Sequence, residues 1–490
     1  RATTAAPAQT LRARIHAEIS SFDTIISAAS ADDAILPNVY SKLVRLRTGT
    51  GQLVPDLAEK WTVSPDGKTY TFHLRKGVKW HKGFGEFTAD DVKFTFERHM
   101  DPANRSRRRT LFGSVEAIRV VSPYTVEIRL KGPQPGFAMT TVADISGIVL
   151  SRKAVTQFGR DYGFNPIGTG PYVLERYTRG SELVLVANEE YFSGPPRIKR
   201  AVFAPVPEDI VAFTALQAGN IDIMYFRHAE VYRRALTTPR FITLTKPAQS
   251  VRAIYMNVTR KPLDDKRVRQ AIAHAINREH ILRFVLGGTG KIADSVISPQ
   301  TWGYTSDIPK YPHDPAKAKE LLAAAGHPNG FKVNFLFPFQ DPYDTWAPAI
   351  QEQLARVGIT LEMLGMERVA FDARNRRGDY DTMTLGLTRP PDPDVYFTTG
   401  WYGPNKPPGS NFSFYSAADR LIEQARVEVD EKKRRALVMQ IQRQIAEDVP
   451  GVPIYYAFSM VVMQPRVRGH VVGILNDFDL YPMYIEEPRR

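Results

Sequence analysis

The pattern of strands and helices changes near residue 253, and this change constrains the fold most. Before it, short alternating runs are separated by turn residues, a pattern typical of antiparallel strands. After it, strands alternate with longer amphipathic helices, as in an α/β unit. Since 490 residues are too many for one ordinary core, we expect two or three domains, with a further division before residue 253.

The first region is predicted to be rich in hairpins. The Asp66-Gly67 pair favours a tight turn between strands. Thr88 is suited to cap a helix, with Asp91 in the first turn, where the helix dipole favours negative charge. We expect strands at 10–15, 69–74, 78–80, 115–121, 125–130, 172–177, 182–187, 198–205 and 221–225, and helices at 33–43 and 207–218.

The second region is predicted to hold most of the helices. Residues 265–277 carry apolar side chains at the spacing of one helix face, and several of the helices end at a glycine, as at Gly326 and Gly358. Helices are expected at 265–277, 314–325, 346–357, 417–427 and 431–446, and strands at 359–364 and 452–458.

The composition is that of a folded protein without disulfides. Hydrophobic residues make up 43% and charged residues 24% of the chain, and no run approaches the roughly 18 to 20 apolar residues of a membrane-spanning helix. The absence of cysteine excludes disulfides, cysteine nucleophiles and thiolate metal sites. It is also compatible with an oxidising compartment, where a free thiol is a liability.

The net charge of +13 raises the question of a nucleic-acid partner. The 65 basic residues are scattered among 52 acidic ones, whereas nucleic-acid readers concentrate basic side chains on one stripe. The short clusters at 105–109 and 432–435 are interpreted as solvated surface. We therefore expect no nucleic-acid partner, while the excess positive charge favours an acidic partner or an anionic ligand.

The sequence contains none of the common catalytic or cofactor motifs. There is no nucleophile elbow, P-loop, zinc-protease or dinucleotide fingerprint. Residues 287–290 are glycine-rich but lack a following lysine, and are interpreted as a turn. His274 and His280 are six residues apart, so they do not share a helix face as paired zinc ligands would. We assign no catalytic residue, metal or cofactor.

The N-terminal residues 1–8 (RATTAAPA) include neither a methionine nor an apolar signal core. We expect that a targeting segment has been removed; a cytosolic fragment is the alternative.

Several ordered motifs reveal a family resemblance. They are 55–61 (PDLAEKW), 64–81, 87–92 (FTADDV), 168–172 (GTGPY), 216–222 (LQAGNID), 256–257 (MN) and 265–279. Taken together, nearly the whole chain resembles the family 5 solute-binding proteins of ABC importers, the dipeptide-, oligopeptide- and nickel-binding group. Physically the motifs are turns, caps and tight passages, so they identify the fold and say little about the ligand.

The resemblance implies a two-lobed α/β protein of the periplasmic-binding-protein type II-like fold, with an extra inserted domain. Lobe I would comprise 1–45, 166–255 and 458–490, the inserted domain 46–165, and lobe II 256–457. Two strands, near residues 255–256 and 454–457, would form the hinge. The ligand would bind between the lobes, and closure would bury it.

The resemblance also implies the function. The chain would be a periplasmic, or otherwise extracytoplasmic, monomer that captures a small peptide-like or anionic ligand and delivers it to an inner-membrane permease. A lipid on a removed N-terminal segment would attach it to the membrane. A sensor or chaperone with the same fold is the alternative, and an enzyme is not expected.

One loop departs from the pattern of the peptide-binding relatives, where an aspartate pairs with the peptide's amino group. In the matching segment, 386–394, this position falls on Arg389 or near Pro390, depending on the alignment. A buried ammonium would therefore lack its partner. Because a guanidinium suits a carboxylate or phosphate, Arg389 indicates an anionic ligand. The alternative is that it pairs with Asp392 or Asp394 and only shapes the loop.

Other residues are expected to contact ligand because relatives place pocket-lining loops at the matching positions or because the residue type suits the site. Aromatic side chains beside amides can stack a ligand and orient it with few hydrogen bonds. Trp401 as a core residue is the alternative for that side chain. The candidates besides Arg389 are Thr388, Trp401, Tyr402, Asn411, Trp346 and Arg368.

Overall fold

The computed structural model describes residues 9–27, 30–226, 228–340, 342–475 and 478–486. The segment on which the removal of a targeting sequence was inferred, 1–8, lies outside them. The chain divides into two compact units. Unit 1 comprises Arg1–Phe226, Val231–Lys246 and Ser459–Arg490, and unit 2 comprises Arg227–Glu230 and Pro247–Phe458.

The elements up to residue 226 are, in chain order, β1 Thr10–Ile15, α1 Ser30–Val39, β2 Val44–Leu46, β3 Leu53–Pro55, β4 Ala58–Val63, β5 Thr69–Leu74, α2 Ala89–Met100, β6 Val115–Ser122, β7 Thr125–Leu130, α3 Arg152–Phe158, β8 Tyr172–Thr178, β9 Glu182–Ala187, β10 Arg200–Pro205, α4 Asp209–Gln217 and β11 Ile223–Phe226.

The later elements are α5 Ala229–Leu236, β12 Ile242–Met256, α6 Lys266–Ala275, α7 Arg278–His280, β13 Gly290–Ile292, α8 Pro315–Ala324, β14 Phe331–Pro338, α9 Tyr343–Ala355, β15 Ile359–Met366, α10 Arg368–Arg377, β16 Thr382–Thr388, α11 Pro393–Gly400, α12 Asp419–Val427, α13 Glu431–Asp448, β17 Gly451–Met463, β18 Val467–Arg468 and β19 Tyr484–Ile485.

Unit 1 contains a mixed sheet and a smaller antiparallel sheet. In the mixed sheet β1 pairs in parallel with β10 and β11, while β8, β9 and β10 form an antiparallel meander. The smaller sheet has the order β4-β5-β7-β6 and is antiparallel throughout. Its first hairpin turns at Gly67, which has a φ of 69° and donates its N–H to the carbonyl of Ser64 at 2.8 Å. The predicted Asp-Gly turn is confirmed.

A passage of two glycines in unit 1 requires close approach of two backbones. A Cβ on Gly168 would lie 1.9 Å from the carbonyl oxygen of Val39, and one on Gly170 would lie 2.5 Å from its carbonyl carbon. Any side chain at either position would therefore force the last turn of α1 away. The GTGPY motif is thus explained by packing, as predicted.

The buried side chain of His81 binds the backbone of the same two glycines. Its Nε2 lies 2.9 Å from the carbonyl of Gly170, and its Nδ1 lies 3.3 Å from the amide nitrogen of Gly168. Because a carbonyl can only accept and an N–H only donate, these contacts fit the neutral ring with its proton on Nε2. Burial lowers the pKa of His81 to about 4.

Unit 2 is a sheet with an apolar core on each face. β14 pairs in parallel with β15 and β16, and β12 runs antiparallel to β16. Successive side chains of β12 alternate between the two cores: Ile254 and Met256 belong to one, Ala253 and Tyr255 to the other. Helices α6, α8 and α9 supply the first core, whereas α11 and α12 supply the second.

Most predicted elements are present within a few residues of their expected ends. Two differ in kind. The predicted strand at 78–80 makes only an isolated bridge between Lys79 and Glu86, since the chain turns directly after it at 81–83. The first helix ends at Val39 rather than at residue 43, and residues 44–46, which follow it closely, form a strand that pairs with β3.

Within the described ranges, no helix combines the length and the apolar character required to cross a bilayer.

The neutral state of His81 predicts a loss of stability in acid. As pH falls from about 6.5 to about 4, the unfolded chain binds a proton that folded His81 does not, so this residue lowers the free energy of unfolding by about 1.4 kcal/mol per pH unit. His81→Gln, whose amide can both donate and accept, should flatten the pH dependence of the free energy of unfolding in this window, measured by urea denaturation. Exposed His313→Gln is the control, and equal slopes for wild type and His81→Gln would contradict the assignment.

Candidate functional site

The candidate site in unit 2 centres on Arg252, an arginine within β12. Arg252 pairs in register with Gly386 on β16. A Cβ on Gly386 would lie only 1.9 Å from Nη1 of Arg252 and 2.6 Å from its Cζ. The missing side chain at Gly386 therefore provides the space that the guanidinium occupies.

One tyrosine hydroxyl holds this guanidinium. Nη1 of Arg252 donates to the hydroxyl of Tyr343 at 2.5 Å, and the N–H of Gly386 donates to the same oxygen at 2.8 Å. Nε of Arg252 is buried and has no hydrogen-bond partner, and no described carboxylate forms an ion pair with the side chain. An arginine is always charged at physiological pH, so this cation is enclosed without a matching anion among the described residues.

A further aromatic side chain, Trp346, packs beside Tyr343. Trp346, which follows Tyr343 on the first turn of α9, lies edge-on to Tyr455 of β17, with ring centroids 5.8 Å apart. Its centroid is 6.4 Å from that of Tyr343. The side chain is fully buried, and its indole N–H has no hydrogen-bond partner among the described residues. The structure thus places Trp346 next to the tyrosine that binds Arg252.

Arg389 follows the last residue of β16. Its backbone N–H donates to the carbonyl of Gln249 at 3.2 Å, which continues the pairing with β12. Its guanidinium donates to the carbonyl of Thr388 at 2.9 Å and contacts the hydroxyl of Thr399 at 3.4 Å. Gly386, opposite Arg252, is three residues earlier, so the two arginine backbones are separated by about 10 Å along neighbouring strands. Because side chains alternate along a strand, those of Arg252 and Arg389 start from opposite faces of the sheet.

Two carboxylates follow Arg389, and each has another arginine as its partner. Asp392 accepts from Arg434 at 3.1 and 3.2 Å and caps α11. Asp394 forms an ion pair with Arg426 at 3.2 Å. These two ion pairs connect the segment after Arg389 to α12 and α13.

Tyr255 of β12 lies close enough to both arginines for their charges to affect its hydroxyl. Burial raises the pKa of its hydroxyl, while the positive charges of Arg389 and Arg252 lower it. Trp401 packs on this tyrosine with a centroid distance of 5.4 Å. Trp401 is itself 1% exposed, and its indole N–H has no partner among the described residues. Its position is that of a core side chain directly behind Tyr255.

The remaining predicted residues make local contacts. The hydroxyl of Thr388 donates to that of Ser250 on the neighbouring strand. Tyr402 donates to Glu423, and the buried amide of Asn411 donates to the carbonyl of Tyr415. Arg368 is half exposed and pairs with Asp372 one turn along α10. The structure therefore places Trp346 with Tyr343 on one face of the sheet and Trp401 with Tyr255 on the other. Arg389 and Thr388 lie at the end of β16, whereas Tyr402, Asn411 and Arg368 lie in other local networks.

Sequence reasoning missed Arg252 and Tyr343. The signal available was an arginine inside the run Val251-Arg252-Ala253-Ile254-Tyr255, where a buried strand favours apolar side chains. Which glycine and which hydroxyl it meets depends on the pairing of β12 with β16 and on the position of α9. Neither follows from the pattern of one strand.

The polar groups around Arg252 are guanidinium, hydroxyl and indole donors, which suit the oxygen atoms of an anion. The chain elsewhere shows no metal centre in the ranges described: no three histidine, aspartate or glutamate side chains converge there. His274, considered as a ligand above, lies 2.9 Å from the carbonyl of Pro312 through Nδ1.

Comparison with known proteins identifies the family. The model of the bacterial extracellular solute-binding proteins, family 5, matches residues 52–408. The dipeptide-binding protein of Escherichia coli strain K12 is 33% identical over 94% of this chain and 92% of its own length. The heme-binding protein A of Haemophilus influenzae is 30% identical over 91% of this chain and 87% of its own length.

Solved structures show the same fold. A periplasmic binding protein of Helicobacter pylori, solved with the peptide STSA, has a TM-score of 0.84 and 29% identity, covering 98% of both chains. A binding protein of A. tumefaciens R10, solved with mannopinic acid, has a TM-score of 0.82 and 27% identity, covering 98% of this chain and 100% of that one. The predicted α/β binding-protein fold is confirmed, and the chain belongs to the family 5 extracellular solute-binding proteins, the ligand-capturing components of ABC importers.

Proposed function

We propose that this importer component captures an anionic organic solute and that Arg252 in unit 2 binds its anionic group, with Arg389 at the end of β16 as a second candidate contact to the ligand. The observation that carries the proposal is the enclosed guanidinium of Arg252, which has a free Nε and no carboxylate partner among the described residues. Leaving a buried charge unpaired costs several kcal/mol. A ligand carboxylate or phosphate would remove that cost by accepting hydrogen bonds from the guanidinium.

The surrounding contacts favour an anion over a free amine. Arg389 stands where an amine-binding carboxylate was expected, and Asp392 and Asp394 are paired with Arg434 and Arg426. A ligand ammonium would meet positive charge there. An acidic ligand also has a precedent, because one solved relative was crystallised with mannopinic acid.

A peptide is the second candidate ligand. The E. coli relative at 33% identity is a dipeptide-binding protein, and the H. pylori relative holds the peptide STSA. A peptide carboxylate would satisfy Arg252 as well as any other carboxylate would. Its ammonium group would need a partner other than position 389, so a comparison of peptides with simple acids separates the two candidates.

Several finer features belong to the proposal. The protein acts by binding rather than catalysis, as a monomer without nucleic acid, and outside the cytoplasm with or without a lipid anchor. The three proposed domains have the boundaries 1–45 with 166–255 and 458–490, 46–165, and 256–457, and the strands near residues 255–256 and 454–457 are the proposed hinge. Roles for Thr388, Trp401, Tyr402, Asn411, Trp346 and Arg368 in contacting the ligand stay predictions.

The ligand class is tested by thermal shift with two probes, mannopinic acid and the peptide STSA. A ligand at 100 times its Kd stabilises the folded protein by about 2.7 kcal/mol. We expect a larger rise in Tm with the acid. A panel of organic acids and native mass spectrometry of protein purified without refolding extend the search. A response to peptides alone would overturn the proposal for an anionic solute while leaving the importer role intact.

Arg252→Gln should strongly weaken binding of the acid. The amide keeps a donor for Tyr343 but removes the charge, so we expect Kd to rise at least 30-fold, corresponding to about 2 kcal/mol or more. Isothermal titration measures this. Arg356→Gln, which removes an exposed arginine paired with Glu352, is the matched control. Wild-type affinity in Arg252→Gln would refute the role of this residue.

Gly386→Ala tests the geometry without changing any charge. Its Cβ would overlap Nη1 of Arg252, so the guanidinium must leave its place beside Tyr343. We expect a loss of affinity comparable to that of Arg252→Gln with the fold retained, as judged by circular dichroism. Gly180→Ala, at a φ of 75° with open space around it, controls for the general effect of replacing a glycine. Unchanged affinity in Gly386→Ala would contradict the proposed positioning.

Arg389→Ala separates ligand contact from loop shaping. If Arg389 binds the anion, Kd rises at least tenfold while Tm of the unliganded protein stays within a few degrees. If it only shapes the loop, Tm falls and the affinity of the remaining folded protein is unchanged. Titration and melting of the same samples decide between the two, with Arg389→Lys expected to recover part of the affinity because it keeps the charge.

A further inference from the structure

Unit 2 contains a cavity that shares no residue with the arginine site. Its volume is about 290 Å³, and it lies among α6, α13, the segments 292–296 and 308–312, and the first residues of β17. The walls are mostly apolar and include Val296, Ile308, Ile445, Val449 and Val452. A volume of this size lies at the small end of the range for ligand sites.

Arg278 lines this cavity without a partner. Its side chain makes no hydrogen bond or ion pair with any described residue, and its Nε is buried. Burial lowers the pKa of Arg278 to about 10, while the charge of Asp294 raises it. The group therefore stays cationic at neutral pH although its surroundings disfavour the charge.

The carboxylate on the cavity wall is already engaged. Oδ1 of Asp294 accepts from the hydroxyls of Tyr304 at 2.7 Å and Tyr456 at 2.9 Å, and its Oδ2 lies 3.3 Å from Nζ of Lys310. Lys310 also lines the cavity. Two cations thus face one carboxylate, which leaves one positive charge uncompensated among the lining residues.

We propose that this cavity is a second binding site, which takes a small monocarboxylate with an apolar body. The carboxylate accepts paired hydrogen bonds from the guanidinium of Arg278, and the apolar body covers the aliphatic wall. A single negative charge matches the single uncompensated positive one. A bare inorganic anion would satisfy the charge but leave the apolar surface wet, and an apolar amine would be repelled.

The site is tested by isothermal titration of the full chain with hexanoate and benzoate, and with phosphate and hexylamine as probes that lack one of the two features. The titrations are made on Arg252→Gln, in which the proposed importer site is disabled, and there we expect the two carboxylates to bind and the other two probes not to. Arg278→Gln should raise Kd at least tenfold. Arg283→Gln, which removes an exposed arginine paired with Glu279 a turn away, should leave Kd unchanged.

A cavity-filling variant keeps the test decisive should Arg278→Gln fold poorly. Ala446 lines the cavity from α13, so Ala446→Leu fills part of the volume while preserving helix propensity. It should abolish hexanoate binding and leave Arg278 in place. Arg252→Gln should still bind hexanoate at this site, which separates the result from the proposed importer ligand. Absence of carboxylate binding to the wild type, or binding that persists in both Arg278→Gln and Ala446→Leu, would overturn the proposal.

Discussion

The enclosed charge of Arg252 is the constraint around which unit 2 is arranged. β12 lies in a sheet that is covered by apolar side chains on both faces, and a charged group there is costly unless it is bonded. Gly386 supplies the space and Tyr343 supplies one acceptor. No described residue supplies an anion, and the ligand proposed for this site would provide the missing negative charge.

In unit 1, the buried polar side chain of His81 is neutral and has all of its hydrogen-bond partners within the fold, unlike Arg252. His81 stays neutral, and both of its ring nitrogens bind the backbone of the glycine passage at 168–170. Every hydrogen-bonding capacity of that ring is used inside the fold, so its role is structural. The two residues differ in that the fold supplies every partner of His81, whereas it supplies no anion for the buried cation of Arg252, and this is the observation behind the proposed ligand site.

The sequence predicted much of the scaffold but less of the site. Alternation and turn residues located β1, β5, β7 and β9 at their observed ends, because these signals are local. Arg389 was found through its departure from a family pattern. Arg252 was missed, since its neighbours on β16 and α9 are more than 90 residues away in the chain and only the fold brings them together.

By itself, the sequence determined the family, the α/β class and the exclusion of cysteine chemistry, since ordered motifs, periodicity and composition need no knowledge of distant contacts. Only the tertiary structure decided which of the predicted residues adjoin one another. It paired Asp392 with Arg434 and Asp394 with Arg426, and it buried Trp346 and Trp401 behind tyrosines. It left Arg252 and Arg278 without an ion-pair partner among the described residues. The physical reason is that ion pairing and desolvation depend on separations of a few ångströms between remote parts of the chain.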